Sequence, residues 1–586
     1  MITSIIVFVY IFFLLLSIGV IVKTFINKLS FIEKSSLEST PVDYYLIFGF
    51  TVLTALLAII SIFSKIGLGL HLTVFGIVFV GVIKYRLEFF RLFDAYKLYL
   101  KNNHSAFIYL VVVWPFFLLV LLYSVSSVQV FDTGLYHAQF IQWIQTYKAV
   151  PGLFWIHSRF AFNSHFHLSC AFFNFSFLDI RNFSGGSIIY YPLSSFFLLT
   201  LLSRCVFSVY EGAKKKDNFA IVLHALLFIL CFFYFAPAIQ SPSPDSITAI
   251  LTLYVFFIFI GRISHRDRHQ LLCFDHILLL SIILVLVTFK LSAVITILFL
   301  PFLLLRSKLS FKTLSLITLM GVFFVVPFFI RNSIISGWLI YPLPQIDLFS
   351  FDWKAPIEDL HMETKTVKAW ARIPAVDPDT VLKMPMQEWV PLWWKNISDG
   401  TTANTLLLSI CLINLVSPLL FFILFLVDKN KSLFKNYAIL YGIILINLVF
   451  WFISAPDPRF ATGYLFFNSA FILALALKRA ENILSPKVII GASFILLIWF
   501  IEIPKGHRDY FLEPYSRREI ALYPKQLEIP VLEFITNSQG KLVISRAPKD
   551  TRCFNVKIPC APYPNSSVLL RGNSLEDGFT YPSNSK

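Results

Sequence analysis

The heptapeptide Phe131-Asp132-Thr133-Gly134-Leu135-Tyr136-His137 follows almost directly on an apolar run, Phe107 to Ser127. The apolar run is long enough for a helix that crosses a bilayer, which needs roughly 20 residues. The heptapeptide then brings together an acid, a hydroxyl, a glycine, a phenol and an imidazole, and it opens a polar segment that continues to about His167. The pattern predicts a spanning helix that presents a chemically dense loop at a membrane surface.

Composition extends this interpretation to the whole chain. Of its 586 residues, 57% are hydrophobic and 14% are charged, with a mean hydropathy of +0.75, whereas a soluble domain carries about 25% charge. The apolar runs predict an all-α polytopic membrane protein. We place about fourteen spans near residues 2–22, 43–63, 66–83, 107–127, 183–202, 219–237, 246–261, 274–289, 291–305, 313–330, 404–427, 437–454, 462–477 and 488–503. The first run could be a signal peptide, but it lacks a basic start and a small-residue cleavage site, which favours an uncleaved span.

The distribution of positive charge predicts the orientation. The net charge is +16, yet Lys and Arg lie mainly between spans and in the tail, which excludes a nucleic-acid-binding class. One set of loops carries 24 Lys and Arg residues and the opposite set of short connections carries 7. Since basic loops stay in the cytoplasm, we expect a multi-pass domain, 1–503, in the cell (inner or cytoplasmic) membrane. Its N-terminus, its loops 128–182 and 332–403, and a C-terminal tail domain, 504–586, are predicted to be extracytoplasmic.

Asp132 is the first candidate catalytic residue. A carboxylate at the outer end of a span can act as general base or bind a divalent metal; the alternative is a helix-end acid solvated at the interface. Gly134 permits a tight turn, and Tyr136 and His137 add donors. His137 could also join His165 and His167 in a metal site, although their spacing matches no known ligand pattern, so we assign no metal.

Three cations stand at the outer ends of spans, where the positive-inside rule disfavours them: Lys290, Arg331 and Arg459. They either reach lipid headgroups or bind a lipid-linked phosphate, which suits Arg in particular. Arg459 lies in the loop Ala455-Pro456-Asp457-Pro458-Arg459-Phe460, where Asp457 could simply pair with it. Asp245 is either a helix N-cap or a second carboxylate that faces the site.

Several shorter segments carry secondary predictions. The spacing of apolar residues over 136–147 predicts a short amphipathic helix on the membrane surface, and 168–178 could form a re-entrant or partly buried helix. The Trp cluster at 389, 393 and 394 is interpreted as interfacial or as a sugar-stacking platform. Residues 541–545 predict a strand. In an oxidising compartment Cys553 and Cys560 could form a disulfide, or they remain a free pair.

The chain resembles two groups of proteins. Its motifs are similar to those of a group of bacterial polytopic membrane proteins, a resemblance that implies no particular reaction. These motifs are Asp132 to His137, Val150 to Leu153, Arg159, Asn163-Ser164, Lys290 to Ala293, Arg331-Asn332, Ser336 to Trp338, Ala455 to Phe460, Arg552-Cys553, Pro559-Cys560 and Arg571-Gly572. Through Asp132 and the surface helix after it, the layout also resembles the GT-C superfamily of glycosyltransferases, which use polyprenyl-phosphate-linked sugars. The acid of those enzymes is commonly one of a pair, whereas Asp132 stands alone in its motif.

The GT-C resemblance implies a transferase at the outer face that moves sugar from a polyprenyl-(pyro)phosphate donor to a cell-surface glycan or lipid. Asp132 would then act on the acceptor hydroxyl, while Lys290, Arg331 and Arg459 bind the donor phosphate. The sugar would be positioned by Tyr136, His137, Arg159, Asn163, Asp245 and Asp457. Two other classes stay open: a transporter or flippase of lipid-linked saccharide, and a non-catalytic assembly factor for envelope glycans.

Overall fold

The structure is a computed structural model. It describes residues 1–29, 32, 40–103, 106–128, 130–181, 188–263, 272–301, 310–398, 402–427, 431–478, 522–524 and 530–582. The predicted span 488–503 lies outside the described residues.

Helices form most of the described chain. The α-helices are α1 (Ile2–Ile26), α2 (Val42–Phe63), α3 (Leu68–Lys84), α4 (Arg86–Asn102), α5 (Ala106–Ser124), α6 (Ala138–Thr146), α7 (His165–Phe173), α8 (Leu193–Lys215), α9 (Asn218–Phe235), α10 (Pro244–Ile263), α11 (Phe274–Phe289), α12 (Phe311–Ser336), α13 (Ile357–Arg372), α14 (Pro378–Lys383), α15 (Met386–Ser398), α16 (Thr402–Val427), α17 (Lys431–Ser454) and α18 (Thr462–Leu477). A π-helix covers Thr133–His137, and 3-10 helices include Ser158–Phe162, Leu291–Leu298 and Pro458–Phe460.

Eight helices in the described part of the chain are long and apolar enough to cross a membrane. The number is nine if α3 and α4, which meet at an angle of 77°, form one broken span. The architecture is therefore that of an all-α, multi-pass membrane protein. The fourteen predicted spans exceed this number partly because α11 and α18 have 16 residues each, and because the run after Lys290 is a 3-10 helix rather than an α-helix.

Three helix boundaries differ from the predicted ones. The span placed at 183–202 begins at Leu193 and continues to Lys215, so that Arg204 lies inside α8 and pairs with Asp43 at 3.6 Å. The basic stretch after Lys84 is not a loop but the amphipathic helix α4. Helix α12 continues past the predicted end at residue 330 and therefore includes Arg331. Arg204 and Arg331 lie inside helices because polar partners compensate for their burial, whereas the basic residues of α4 are exposed.

The close approach of α1 and α2 depends on two glycines. A Cβ atom on Gly19 would lie 2.1 Å from the carbonyl oxygen of Tyr45, and one on Gly49 would lie 2.0 Å from that of Leu15. Small residues at such crossings let helix backbones pack closely in a membrane, where apolar burial contributes little to helix association.

The polar segment that begins at Asp132 covers one end of this bundle. It is hydrogen-bonded to the ends of three helices: Ala149 N–H donates to Ser61 O in α2, Gly152 N–H donates to Ile334 O in α12, and the Ser164 hydroxyl donates to Phe289 O in α11. Helix α6 confirms the short helix predicted over 136–147. It is not exposed at a surface, since Phe140, Ile141 and Trp143 are buried in it. Helix α7, the predicted partly buried segment, is buried along its whole length.

The C-terminal region forms two small antiparallel sheets. Strand β1 (Glu533–Thr536) pairs with β2 (Val543–Arg546), which confirms the predicted strand, and β3 (Leu569–Leu570) pairs with β4 (Phe579–Thr580). This region docks on the polar segment: Phe579 N–H donates to Pro151 O at 2.9 Å, and the ring of Phe579 meets that of Trp143 edge to face. The tail is therefore packed against the end of the bundle that carries Asp132.

Candidate functional site

The π-helix Thr133–His137 holds Asp132 at its beginning. π-helical turns are uncommon and often occur at functional sites. The hydroxyl of Thr133 lies 2.6 Å from that of Ser241, and Ser241 belongs to the Ser-Pro-Ser-Pro-Asp loop that leads into α10. This hydrogen bond brings the segment of Asp132 next to that of Asp245.

The tail contacts the π-helix directly. Phe554 N–H donates to Gly134 O at 2.9 Å, and the ring of Phe554 would lie 2.5 Å from a Cβ atom on residue 134. Only glycine leaves room for this ring, which gives Gly134 a packing role in addition to the predicted turn. The structure joins Cys553 to Cys560 by a disulfide, so the segment that covers the π-helix is a closed loop.

Gln139, which sequence reasoning missed, ties this loop to α6. Its buried amide donates to the carbonyls of Phe554 and Val556 at 3.1 and 2.7 Å, and its oxygen accepts from Cys560 N–H at 3.3 Å. A lone Gln in an amphipathic helix gives no sequence signal, because its partners lie more than 400 positions away.

Asp132 is half-buried beside Arg159, with 3.4 Å between Oδ1 and Nη1. Burial raises the pKa of Asp132, the cations Arg159, Arg459 and Lys290 oppose the shift, and the charge of Asp245 adds to it. The structure therefore brings both predicted acids and three cations within electrostatic range of one another.

Glu363 of α13 is a further acid that sequence reasoning missed. Its Oε1 lies 3.8 Å from Arg159 Nε, and burial raises its pKa. The Arg159 guanidinium also lies over the ring of Tyr136, 5.6 Å from the ring centre. Arg159 is thus held between two carboxylates and one aromatic ring.

Lys290 stands where α11 ends and the backbone becomes extended. Its ammonium pairs with Asp245 and lies 3.8 Å from the ring centre of Phe460. Asp245, Lys290 and Arg459 line a small pocket between α10, the 3-10 helix Leu291–Leu298 and α18.

The loop Ala455–Phe460 is held by side chains on both sides. Asp457 Oδ2 accepts from Arg459 Nε at 2.9 Å and Nη2 at 2.7 Å. The indole of Trp393 donates to Pro456 O, and that of Trp451 donates to Asp457 O, both at 2.7 Å. Trp393 is 6% exposed, so this part of the Trp cluster braces the loop and is not a sugar-stacking surface.

Arg459 has a perturbed pKa that links it to the rest of the site. Burial lowers its pKa, but the carboxylates of Asp457, Asp245 and Asp132 outweigh burial and hold the pKa above its ordinary value. Its guanidinium keeps its charge throughout any biological pH range.

Two predicted site residues lie elsewhere. Arg331 is 2% exposed and donates to Asn163 Oδ1 at 3.0 Å and to Ser61 Oγ at 2.8 Å. Asn163 also donates to Asn332 Oδ1 at 3.0 Å. Because neutral acceptors already hold its guanidinium inside the bundle end, Arg331 is not available to a phosphate beside Lys290, and we remove Arg331 and Asn163 from the site.

The histidines of the polar segment are neutral. Burial lowers the pKa of His137 and of His157 to about 3, and it lowers that of His165 and His167 well below the ordinary value. The rings of His137 and His167 are 4.9 Å apart. Among the described residues no group of three or more His, Cys, Asp or Glu side chains could hold a metal ion.

Comparison with known proteins identifies a family and no reaction. No curated protein and no solved structure matches the chain. A family model described as Domain of unknown function (DUF8201) matches residues 1–466, a range that includes Asp132, Arg159, Asp245, Lys290 and Arg459. The chain therefore belongs to the DUF8201 family.

Proposed function

We propose that this protein is a GT-C-like membrane glycosyltransferase. It would move a sugar from a polyprenyl-(pyro)phosphate donor to a cell-surface glycan or lipid acceptor at the outer face of the membrane. The observation that carries the proposal is the convergence of Asp132, Asp245, Arg159, Lys290 and Arg459 at one end of the bundle, from segments far apart in sequence.

Asp132 fits the role of general base. The acceptor hydroxyl attacks the anomeric carbon, its proton passes to Asp132, and the bond from that carbon to the phosphate oxygen breaks. A raised pKa suits this role, because a base works best when its pKa approaches the operating pH. Asp245 supplies in space the second acid that the sequence motif lacks.

Lys290 and Arg459 fit the role of phosphate ligands. The leaving phosphate gains negative charge as the sugar departs, and fixed cations in a partly buried site stabilise that charge. Tyr136 positions Arg159 by stacking, and neutral His137 contributes a buried imidazole at the end of the π-helix.

The proposed setting is the cell membrane, with the site on the outer face. The disulfide in the tail supports this orientation, since disulfides persist in oxidising compartments. Reporter fusions test the orientation: a fusion after Lys101 should report the cytoplasm and one after Asp245 the exterior. The reverse pattern would remove the outer-face site from the proposal.

The transfer itself is tested with purified protein in lipid nanodiscs. A polyprenyl-phosphate sugar should yield free polyprenyl phosphate, and Asp132→Asn should abolish the yield while the protein still folds. Asp352→Asn is the matched control, because Asp352 is an outer-loop acid paired with Arg571 at 2.7 Å and outside the site. Full activity in Asp132→Asn would exclude Asp132 as the base.

One observation favours a transporter of lipid-linked saccharide instead. Helix α11 ends at Lys290 and continues as a 3-10 helix, and broken helices are common in transporters. In proteoliposomes a transporter would move the intact lipid-linked sugar between leaflets without releasing polyprenyl phosphate, whereas the transferase releases it.

A further inference from the structure

The pocket beside Lys290 lies where three helices begin. Asp245 belongs to the first turn of α10 and Thr248 follows directly after that turn, while Ser292 belongs to the first turn of Leu291–Leu298 and Tyr464 to the first turn of α18. The first amides of a helix have no intrahelical acceptor and carry partial positive charge. Three such ends, with Lys290 and Arg459, make the pocket favourable for an anion.

Buried hydroxyls in this pocket lack partners. Thr248 is 8% exposed and Tyr464 is 4% exposed, and neither hydroxyl has a hydrogen-bond partner among the residues that the structure describes. The hydroxyl of Ser292 is also buried and has no hydrogen-bond partner among the described residues. Leaving a buried hydroxyl unpaired is unfavourable, so three of them around one pocket indicate a place for a ligand with several acceptor oxygens.

Thr252 shows what a satisfied hydroxyl looks like in the same pocket. It lies one turn after Thr248 on α10 and donates to the carbonyl of Thr248 at 2.8 Å. The unpaired hydroxyls therefore lie near the beginnings of the three helices, where the helix N-termini and Lys290 also favour an anion.

We propose that this pocket is a phosphoryl seat, in which the phosphate of the ligand replaces the carboxylate of Asp245 on Lys290 and accepts hydrogen bonds from Thr248, Ser292 and Tyr464. The proposal rests on the proposed function, in that the phosphate belongs to the donor lipid, although free phosphate presents the same oxygens. Asp245 holds the ammonium of Lys290 until the phosphate arrives and is then free to face Asp132. The carboxylate is thus a competitor of the ligand, not one of its contacts.

Binding measurements on the full-length protein in nanodiscs test the seat. The probes are polyprenyl phosphate, polyprenol of the same length and inorganic phosphate. Polyprenyl phosphate should bind at least tenfold more tightly than polyprenol. Thr248→Val and Tyr464→Phe should each weaken binding of polyprenyl phosphate about three- to tenfold, because each removes one hydroxyl and nothing else. Thr252→Val is the control and should bind as the parent protein does.

Asp245→Asn tests whether the carboxylate competes with the phosphate for Lys290. It removes the competing charge, so phosphate affinity should rise by about fivefold or more; a fall would show that Asp245 only positions Lys290 and would overturn the exchange. Competition by inorganic phosphate would show that the phosphoryl group alone is recognised, and its absence would assign the seat to the lipid-linked form. Equal binding of polyprenol and polyprenyl phosphate would overturn the seat.

The seat and the transferase can fail separately. Normal sugar transfer and normal lipid-phosphate binding in both Thr248→Val and Tyr464→Phe would overturn the seat and leave the transferase standing. Tight binding that depends on these hydroxyls, without any sugar transfer by the parent protein, would remove the transferase and keep the seat.

Discussion

The hydroxyls of Thr133 and Ser241 lie 2.6 Å apart, although 108 positions separate them in sequence. Ser241 is 1% exposed and also accepts from the backbone amide of Ser243 at 3.0 Å. This buried contact is where the π-helix after Asp132 meets the loop before Asp245. It joins the segments that carry the two acids, and the charge of Asp245 acts on Asp132.

Replacing Thr133 should therefore damage the site more than the fold. Thr133→Val keeps the shape and removes the hydroxyl, which should cost about 1–3 kcal/mol of stability for the unpaired partner. Release of polyprenyl phosphate should fall by roughly tenfold or more, because small displacements of reacting groups are costly. Thr133→Ser keeps the hydroxyl and should restore most of the rate. Equal rates in the Val and Ser variants would show that this contact does not position the acids.

The raised pKa of Asp132 predicts how the reaction depends on pH. The base must be ionised, so the rate should fall as the pH decreases through a pKa that lies above the ordinary value of 3.8. Arg159 lowers this pKa; Arg159→Gln should therefore move the acid limb of the pH–rate profile to higher pH. A limb that stays in place in this variant would show that another group is responsible.

The raised pKa of Asp132 should affect the pH dependence of stability in the opposite direction to that of the rate. Between 3.8 and the raised pKa of Asp132 the folded protein binds a proton that the unfolded chain has lost, so stability falls as the pH rises through this window. Asp132→Asn removes this effect and should melt at the same or a higher temperature than the parent protein at pH 7. A lower melting temperature would indicate that the ionised carboxylate stabilises the fold.

The sequence predicts the membrane class well because long apolar runs are a local signal. Helix α2 starts within one residue of the predicted position and ends at it, and α18 matches both predicted limits. The main differences lie at charged residues: the pattern predicts that spans end before Arg204 and Arg331, whereas partners elsewhere in the fold allow both to lie inside helices. Such partners are invisible to a pattern that considers each run alone.

The sequence predicts which residues belong to the site better than it predicts how they are arranged in space. Asp132, Lys290 and Arg459 stood out because charges at span ends are unusual. Their geometry depends on contacts such as Thr133 with Ser241 and Gly134 with Phe554, which connect residues that are distant in sequence. Glu363 and Trp451 belong to no motif, and only the fold assigns them to Arg159 and to the Asp457 loop.

Gln139 should control how firmly the tail covers the π-helix. Gln139→Leu leaves the amide of Cys560 and the carbonyls of Phe554 and Val556 without this partner, at about 1–3 kcal/mol for each group that stays buried. Trypsin should then cleave after exposed Lys557 much faster than in the parent protein. Gln142→Leu is the control, since it loses a single, partly exposed hydrogen bond to Asn555. Equal cleavage rates in both variants would show that Gln139 does not secure the disulfide loop.

The hydrogen bond between Arg331 and Asn163 should stabilise the folded protein and should not contribute to phosphate binding. Its guanidinium is buried among neutral acceptors, so Asn163→Ala, which removes the acceptor of Nε, should destabilise the protein by about 2–3 kcal/mol. The affinity of the folded protein for polyprenyl phosphate should not change. Lys290→Met should do the reverse, with a loss of affinity of about tenfold or more and a smaller change in melting temperature, because the side chain of Lys290 is 20% exposed. If Asn163→Ala weakened lipid-phosphate binding as much as Lys290→Met does, Arg331 would have to be returned to the phosphate site.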